Sequence, residues 1–106
     1  MKNQSMGLMR TNIVDAVARR ADLSDSDFSR SDFSFSDFSN AKMIGTKLVR
    51  VDFSGAILTG ADLKDAVLVD ADFSHVNLSN ADLTGANCRG IRGLETANTT
   101  RARGLP

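Results

Sequence analysis

Cys88 and His75 are the only cysteine and the only histidine, so a thiol nucleophile and an imidazole base have one candidate each. A thiolate attack needs a base within hydrogen-bond reach, and one Cys with one His cannot complete a zinc site. A single cysteine also excludes an internal disulfide. The acidic residues are more numerous: Asp32, Asp52 and Asp72 recur at intervals of twenty, and Asp22, Asp62 and Asp82 form a second set in phase. Rows of carboxylates attract cations, but the paired glycines of calcium-binding β-rolls are missing, and solvated carboxylates need no metal. The glycines stand singly and never cluster ahead of a helix, so there is no phosphate loop. Catalysis requires unlike polar groups converging in a pocket, whereas these are rows of like groups. The sequence predicts no enzyme activity, no cofactor and no metal site.

A five-residue repeat positions those rows. From Ala21 to Gly90 every fifth residue is a centre position: Leu23, Phe28, Phe33, Phe38, Met43, Leu48, Phe53, Leu58, Leu63, Leu68, Phe73, Leu78, Leu83 and Cys88. Two places before each stands a smaller residue: Ala21, Ser26, Ser31, Ser36, Ala41, Thr46, Val51, Ala56, Ala61, Ala66, Ala71, Val76, Ala81 and Ala86. On a helix, successive centres would rotate by about 140° and form no stripe. On one long strand an odd period would send alternate centres to opposite faces. The chain must therefore turn once per repeat. A short extended stretch then points the small and centre residues inward, and their neighbours outward. Asp precedes the centre in eight of the fourteen repeats, and the corners include Gly45, Gly55, Gly60, Gly85 and Gly90 with Asp25, Asp65, Asp70, Asn40 and Asn80, types that tolerate turns.

Segments such as Ala21-Asp22-Leu23-Ser24-Asp25, Ala61-Asp62-Leu63-Lys64-Asp65 and Ala81-Asp82-Leu83-Thr84-Gly85 resemble the motif of the pentapeptide-repeat proteins, over seventy of 106 residues. The resemblance implies an all-β fold, a right-handed quadrilateral parallel β-helix of about four coils with short terminal caps. Residues twenty apart would then stack at the spacing of paired strands, roughly 4.8 Å. Four columns follow: Leu23, Met43, Leu63 and Leu83; Phe28, Leu48, Leu68 and Cys88; Phe33, Phe53 and Phe73; Phe38, Leu58 and Leu78. Each buried centre contributes roughly 1.5 to 3 kcal/mol, the main term opposing chain entropy.

The chain reads as one domain: a tail over 1–10, the repeat region over 11–90, and a cap with a frayed tail over 91–106. Residues 11–20 keep the register weakly and suit either a further half coil or a capping helix through Met9, Ile13, Ala16 and Val17. After Gly90 the register fails, with Gly93 at a centre; Ile91 and Leu94 are expected to fold over the open end. With no apolar run fit for a secretory signal or a membrane span, the expected location is cytoplasmic. The net charge of zero hides an asymmetry: over 21–90, eleven Asp oppose six Lys or Arg, while both ends are basic.

Function is then expected on the outer surface. Ile44, Val49, Ile57, Val67 and Val69 are apolar where other repeats carry polar residues, and form a candidate partner surface. Phe35 at a corner is either a contact residue or an edge residue tucked against the N-terminal segment. Asp22, Asp32, Asp52, Asp62, Asp72 and Asp82 form a candidate acidic surface. The leading expectation is a non-catalytic, rigid protein-interaction scaffold with a protein partner. The resemblance implies an alternative, a DNA mimic that binds a type II topoisomerase such as DNA gyrase and protects it from quinolones. Membrane binding and direct nucleic-acid binding are not expected, the latter because the repeat region has the wrong charge. A homodimer through an end coil is a further expectation.

Overall fold

The computed structural model describes residues 17–106. Every fifth residue from Arg20 to Gly90 adopts a left-handed conformation, with φ between 58° and 76°. Between corners the backbone is extended for three residues, and the centre residue's carbonyl accepts the N–H three places on, as from Leu23 to Ser26 at 3.3 Å. Four such corners return the chain to its starting side after twenty residues. Parallel bridges record the return: Asp22 with Lys42, Lys42 with Asp62, Asp62 with Asp82, and likewise on the other sides. Each side is a ladder in which Leu23 donates its N–H to Lys42 at 2.7 Å and Lys42 donates to Ala21 at 2.8 Å. The molecule is a four-sided parallel β-helix, and each side is named here by its first centre: Leu23, Phe28, Phe33 and Phe38.

The interior follows from the double register. Every centre from Leu23 to Leu83 is buried, as is every small residue from Ser26 to Ala81, and Cys88 is half-buried where the stack ends. Phenyl rings fill the serine-lined first level: Phe28 and Phe33 meet edge to face at 5.3 Å, and Phe33 and Phe38 lie tilted by 39° at 5.1 Å. The Phe33 column continues downward, with ring centroids 5.6 Å apart to Phe53 and 5.4 Å from there to Phe73. Edge-on pairs of this kind add about 0.5 to 1.5 kcal/mol beyond area burial. A hydroxyl at a small position bonds inside the stack: Thr46 Oγ1 donates to the Leu23 carbonyl at 2.9 Å.

One expectation changes, at the C-terminal end. Residues 97–103 are not a frayed tail. Asn98 bridges Asn77 and Arg103 bridges Asp82, with Leu78 donating to Asn98 and Leu83 to Arg103 at 2.7 Å each. The spacing there is twenty-one, because a 3-10 turn at Leu94–Thr96 accommodates one extra residue, and the ladder resumes beyond it. Gly93 and Gly104 occupy centre positions with φ of 84° and 78°, so close to the Ser74 and Thr84 backbones that a Cβ would collide. That approach lets the following Leu94 and Leu105 pack, half-buried, against the core, as Ile91 does. At the other end Val17 bridges Asp37 and Arg20 donates to Ser39, so residues 17–20 follow the coil. The remainder of the alternative over 11–20 lies outside the described residues, as does the expected tail over 1–10.

Candidate functional site

With the interior filled, the chemistry that remains is on the four sides. The Asp before each centre does more than face water. Its Oδ1 accepts the backbone N–H two residues on: Ser24 to Asp22 at 3.1 Å, Ser34 to Asp32 at 3.1 Å, Ser54 to Asp52 at 2.9 Å, Lys64 to Asp62 at 3.2 Å, Ser74 to Asp72 at 3.0 Å and Thr84 to Asp82 at 3.0 Å. Where Ser or Thr follows, its hydroxyl often donates to the same oxygen, at 2.6 Å in Asp52, Asp72 and Asp82. Asn77, Asn87 and Asn98 make the same backbone bond through the amide oxygen. The motif is a local Asx turn that locks the approach to each corner. Side-chain and then backbone bonds from Ser74 and Thr84 hold the carboxyls of Asp72 and Asp82 below the usual range; for Asp22 the Ser24 backbone bond leads. Ser24 and Ser34, expected outward, are buried, and the Ser24 hydroxyl accepts the Ile44 N–H at 3.2 Å.

The six candidate carboxylates fall on two sides. Asp22, Asp62 and Asp82 share the Leu23 side with Lys42, where Asp62 Oδ2 lies 3.5 Å from Lys64 and Asp82 Oδ2 lies 3.1 Å from Arg103. Asp32, Asp52 and Asp72 form an unbroken column on the Phe33 side, ending at Arg92. Among the described residues no lysine or arginine lies within ion-pair distance of these three. One side is thus neutralised and the other carries a bare acidic stripe.

The six apolar candidates do not form one patch. Val49, Val67 and Val69 lie half-buried on the Phe28 side, and Ile44, 36% exposed, stands at its leading corner. Ile57 lies on the opposite side, between Asp37 and Asn77. Phe35 is 64% exposed at the corner leading there, and its ring covers Gly55 in the next coil, where a Cβ would stand 2.5 Å from Cδ1. The expected contact of Phe35 with the N-terminal segment lies outside the described residues.

The Phe35 contact belongs to a rule that sequence reasoning missed. Asp25 covers Gly45, Asn40 covers Gly60, Asp65 covers Gly85 and Asp70 covers Gly90, each side chain occupying the space of the missing Cβ. Left-handed φ alone does not demand glycine, since Arg, Asp, Asn, Phe and His adopt it at other corners. The readable signal was the pairing of a longer corner residue with a glycine twenty places later. Near the first described coil a hollow is lined by Val17, Arg19, Arg20, Asp37, Ser39 and Asn40, with Arg19 3.7 Å from Asp37. Burial pushes the half-buried Cys88 thiol up from its ordinary range, which disfavours the thiolate. No helix among the described residues is long and apolar enough to cross a membrane.

The family model for pentapeptide repeats matches residues 11–50, 46–85 and 61–92. A solved pentapeptide repeat protein from the Arabidopsis thaliana thylakoid lumen is 34% identical, with a TM-score of 0.80 over 83% of this chain and 61% of that one. This chain thus spans less than two thirds of that protein. Rfr23, a pentapeptide repeat protein from the cyanobacterium Cyanothece 51142, is 20% identical, with a TM-score of 0.57 over 92% of this chain and 83% of its own. QnrB1, a plasmid-mediated fluoroquinolone resistance protein, is 22% identical, with a TM-score of 0.51 over 76% of this chain and 48% of its own. At those identities the last two show a shared fold. No curated protein matches the chain.

Proposed function

The chain belongs to the pentapeptide-repeat family, and from that premise we propose that it is a non-catalytic interaction module, a rigid prism whose sides offer different chemistry to protein partners. The observation that carries this reading is the contrast between a uniform interior and unlike sides. One interior of stacked Leu and Phe supports a neutralised side, a bare acidic side and a side bearing Val49, Val67 and Val69. Regular ladder bonds fix the spacing of each column, so a partner meets groups already in place and little ordering entropy is lost on binding.

A second reading rests on Asp32, Asp52 and Asp72, whose spacing presents fixed negative charge to a cationic groove. That stripe, with the shared fold of a fluoroquinolone resistance protein, makes DNA gyrase a candidate partner. The stripe is short and the neighbouring sides carry cations, so the general scaffold is the stronger conclusion. The test is affinity capture from lysate with the wild-type chain, the Val49, Val67 and Val69 triple substitution to Ser, and the Asp32, Asp52 and Asp72 triple substitution to Asn. Loss of one identified partner with one triple and not the other supports the reading and names the side; capture indifferent to both overturns it. A gyrase supercoiling assay with the same proteins decides the second reading, which fails if supercoiling and quinolone sensitivity do not respond.

A further inference from the structure

The Phe28 side carries three outward columns. The first reads Asp27, Lys47, Val67, Asn87; the second Ser29, Val49, Val69, Arg89; the corner beyond reads Arg30, Arg50, Asp70, Gly90. A two-fold axis lying in this side, perpendicular to the stack and midway between its second and third levels, lays each column upon its own reverse. Val49 then meets the partner's Val69, and Lys47 lays its aliphatic stem over the partner's Val67. Arg50 faces the partner's Asp70, and the partner's Arg89, set opposite Ser29, comes between Asp27 and Arg30, so that this outer contact adds no net attraction. Each contact occurs twice, as an isologous interface requires.

The other three sides fit the same operation less well. On the Leu23 side it sets Asp22 against the partner's Asp82, although Lys42 meets the partner's Asp62, and neither contact buries an apolar pair; on the Phe33 side it sets Asp52 against the partner's Asp72. On the Phe38 side it sets Ile57 against the partner's Asn77. Within one chain Arg50 and Asp70 are 3.9 Å apart with side chains 59% and 49% exposed, so little is lost when each turns to a second copy.

We propose that this side is a self-complementary surface on which a second copy of the chain docks antiparallel. The inference deepens the interaction reading above, with the chain itself as a partner. The side spans only three spacings of about 4.8 Å, well under the ~800 Å² per partner of a standard interface, so the dimer is weak and forms only at high protein concentration.

Sedimentation equilibrium on the wild-type chain up to about 1 mM reads the association directly. Arg50→Asp and Asp70→Arg each place like charges across the axis, and each is expected to raise the dissociation constant by about tenfold or more. The double variant restores opposite charges and is expected to return within about threefold of wild type. Mixing the two single variants one to one is likewise expected to restore association. Circular dichroism checks each fold. Should a variant not fold, amide shift changes on dilution of the wild-type chain serve instead, expected at Lys47, Val49, Arg50, Val67, Val69 and Asp70. A wild-type chain that stays monomeric, a dimer indifferent to both reversals, a double variant that fails to recover, or shifts confined to another side overturns the proposal. A monomeric chain that still captures its partner leaves the scaffold reading intact, so the two fail separately.

Discussion

The Leu23 and Phe33 sides have the same outward letter, Asp, at the same register, and differ in what their second oxygens meet. On both, Oδ1 closes the turn. On the Leu23 side Oδ2 of Asp62 and of Asp82 meets a cation, and Lys42 lowers the Asp22 pKa further. On the Phe33 side no second oxygen has a lysine or arginine within ion-pair distance among the described residues, and Arg92, below Asp72 in the column, acts on that carboxyl only from farther off, lowering its pKa as Lys42 lowers that of Asp22. The recurring job of the aspartate is structural, and only the spare oxygen is free to meet a partner. An acidic repeat residue is therefore a functional candidate according to its neighbours one coil away, and its own letter says little.

The largest effect comes from removing what both sides share. Phe53 is fully buried and its ring touches Phe33, Phe38 and Phe73, so Phe53→Asp leaves an unpaired charge in the core. The expected outcome is loss of the folded state at 25 °C by circular dichroism, a destabilisation above about 4 kcal/mol. Next is Gly104→Ala, which sets a Cβ against Leu83 and Thr84 and adds strain at φ 78°. It is expected to cost about 1 to 3 kcal/mol and to release the last coil. Hydrogen exchange at the Leu83 amide, which bonds the Arg103 carbonyl, reads that release. The comparison sharpens at once, because Asp82 loses Arg103 and its second oxygen becomes as bare as those on the Phe33 side, while Asp62 keeps Lys64.

The sequence showed most of the fold because a five-residue period is incompatible with helix and long strand alike, so turns, interior and stacking followed from Leu23 to Leu83. The surface was less legible. Eight repeated aspartates looked like solvated charge, although the Asp-x-Ser spacing already contained the turn bond. The coil at 97–103 was hidden because Gly93 and the extra residue before Ala97 break a pattern read at fixed spacing, whereas the backbone tolerates one inserted 3-10 turn. The lone acidic stripe was legible as a column but not as bare: the Lys64 contact with Asp62, two residues away, is local, whereas Arg103 reaches Asp82 from a position that only the stack brings near.

Acid titration separates the turn bond from the spare oxygen. The carboxyls of Asp37, Asp72 and Asp82 are held below their ordinary range chiefly by hydroxyl and amide donors of the residue two places on, and that of Asp22 mainly by the Ser24 amide. A folded-state pKa below the unfolded value of about 3.9 binds fewer protons when folded, so stability is complete above that value and lost as pH falls through the lowered folded ones. Urea midpoints are expected to be level from pH 7 to about 5 and to fall steadily towards pH 2. Asp72→Asn is expected to flatten that fall, since an amide at this position keeps the oxygen acceptor and does not titrate. A fall of unchanged steepness contradicts the assignment.

The smallest effect is the most specific. Asp52→Ala removes the acceptor for Ser54 and is expected to cost about 1 kcal/mol, but Asp52→Asn keeps it, as Asn77 does one side away. What remains is charge alone. In the Phe33 column a neutral residue at 52 relieves repulsion from Asp32 and Asp72, so Asp52→Asn is expected to be neutral or stabilising by a few tenths of a kcal/mol, about 0.5 at most, and more so at low salt. On the Leu23 side Asp62→Asn gives up the contact with Lys64 and is expected to be neutral or slightly destabilising within about the same bound. Opposite signs from one chemical change at equivalent register, measured by urea melts at two salt concentrations, distinguish a bare acidic stripe from a neutralised one. Equal signs would show that Lys42, Lys64 and Arg103 screen both sides alike and would leave the Phe33 side no special claim on a cationic partner.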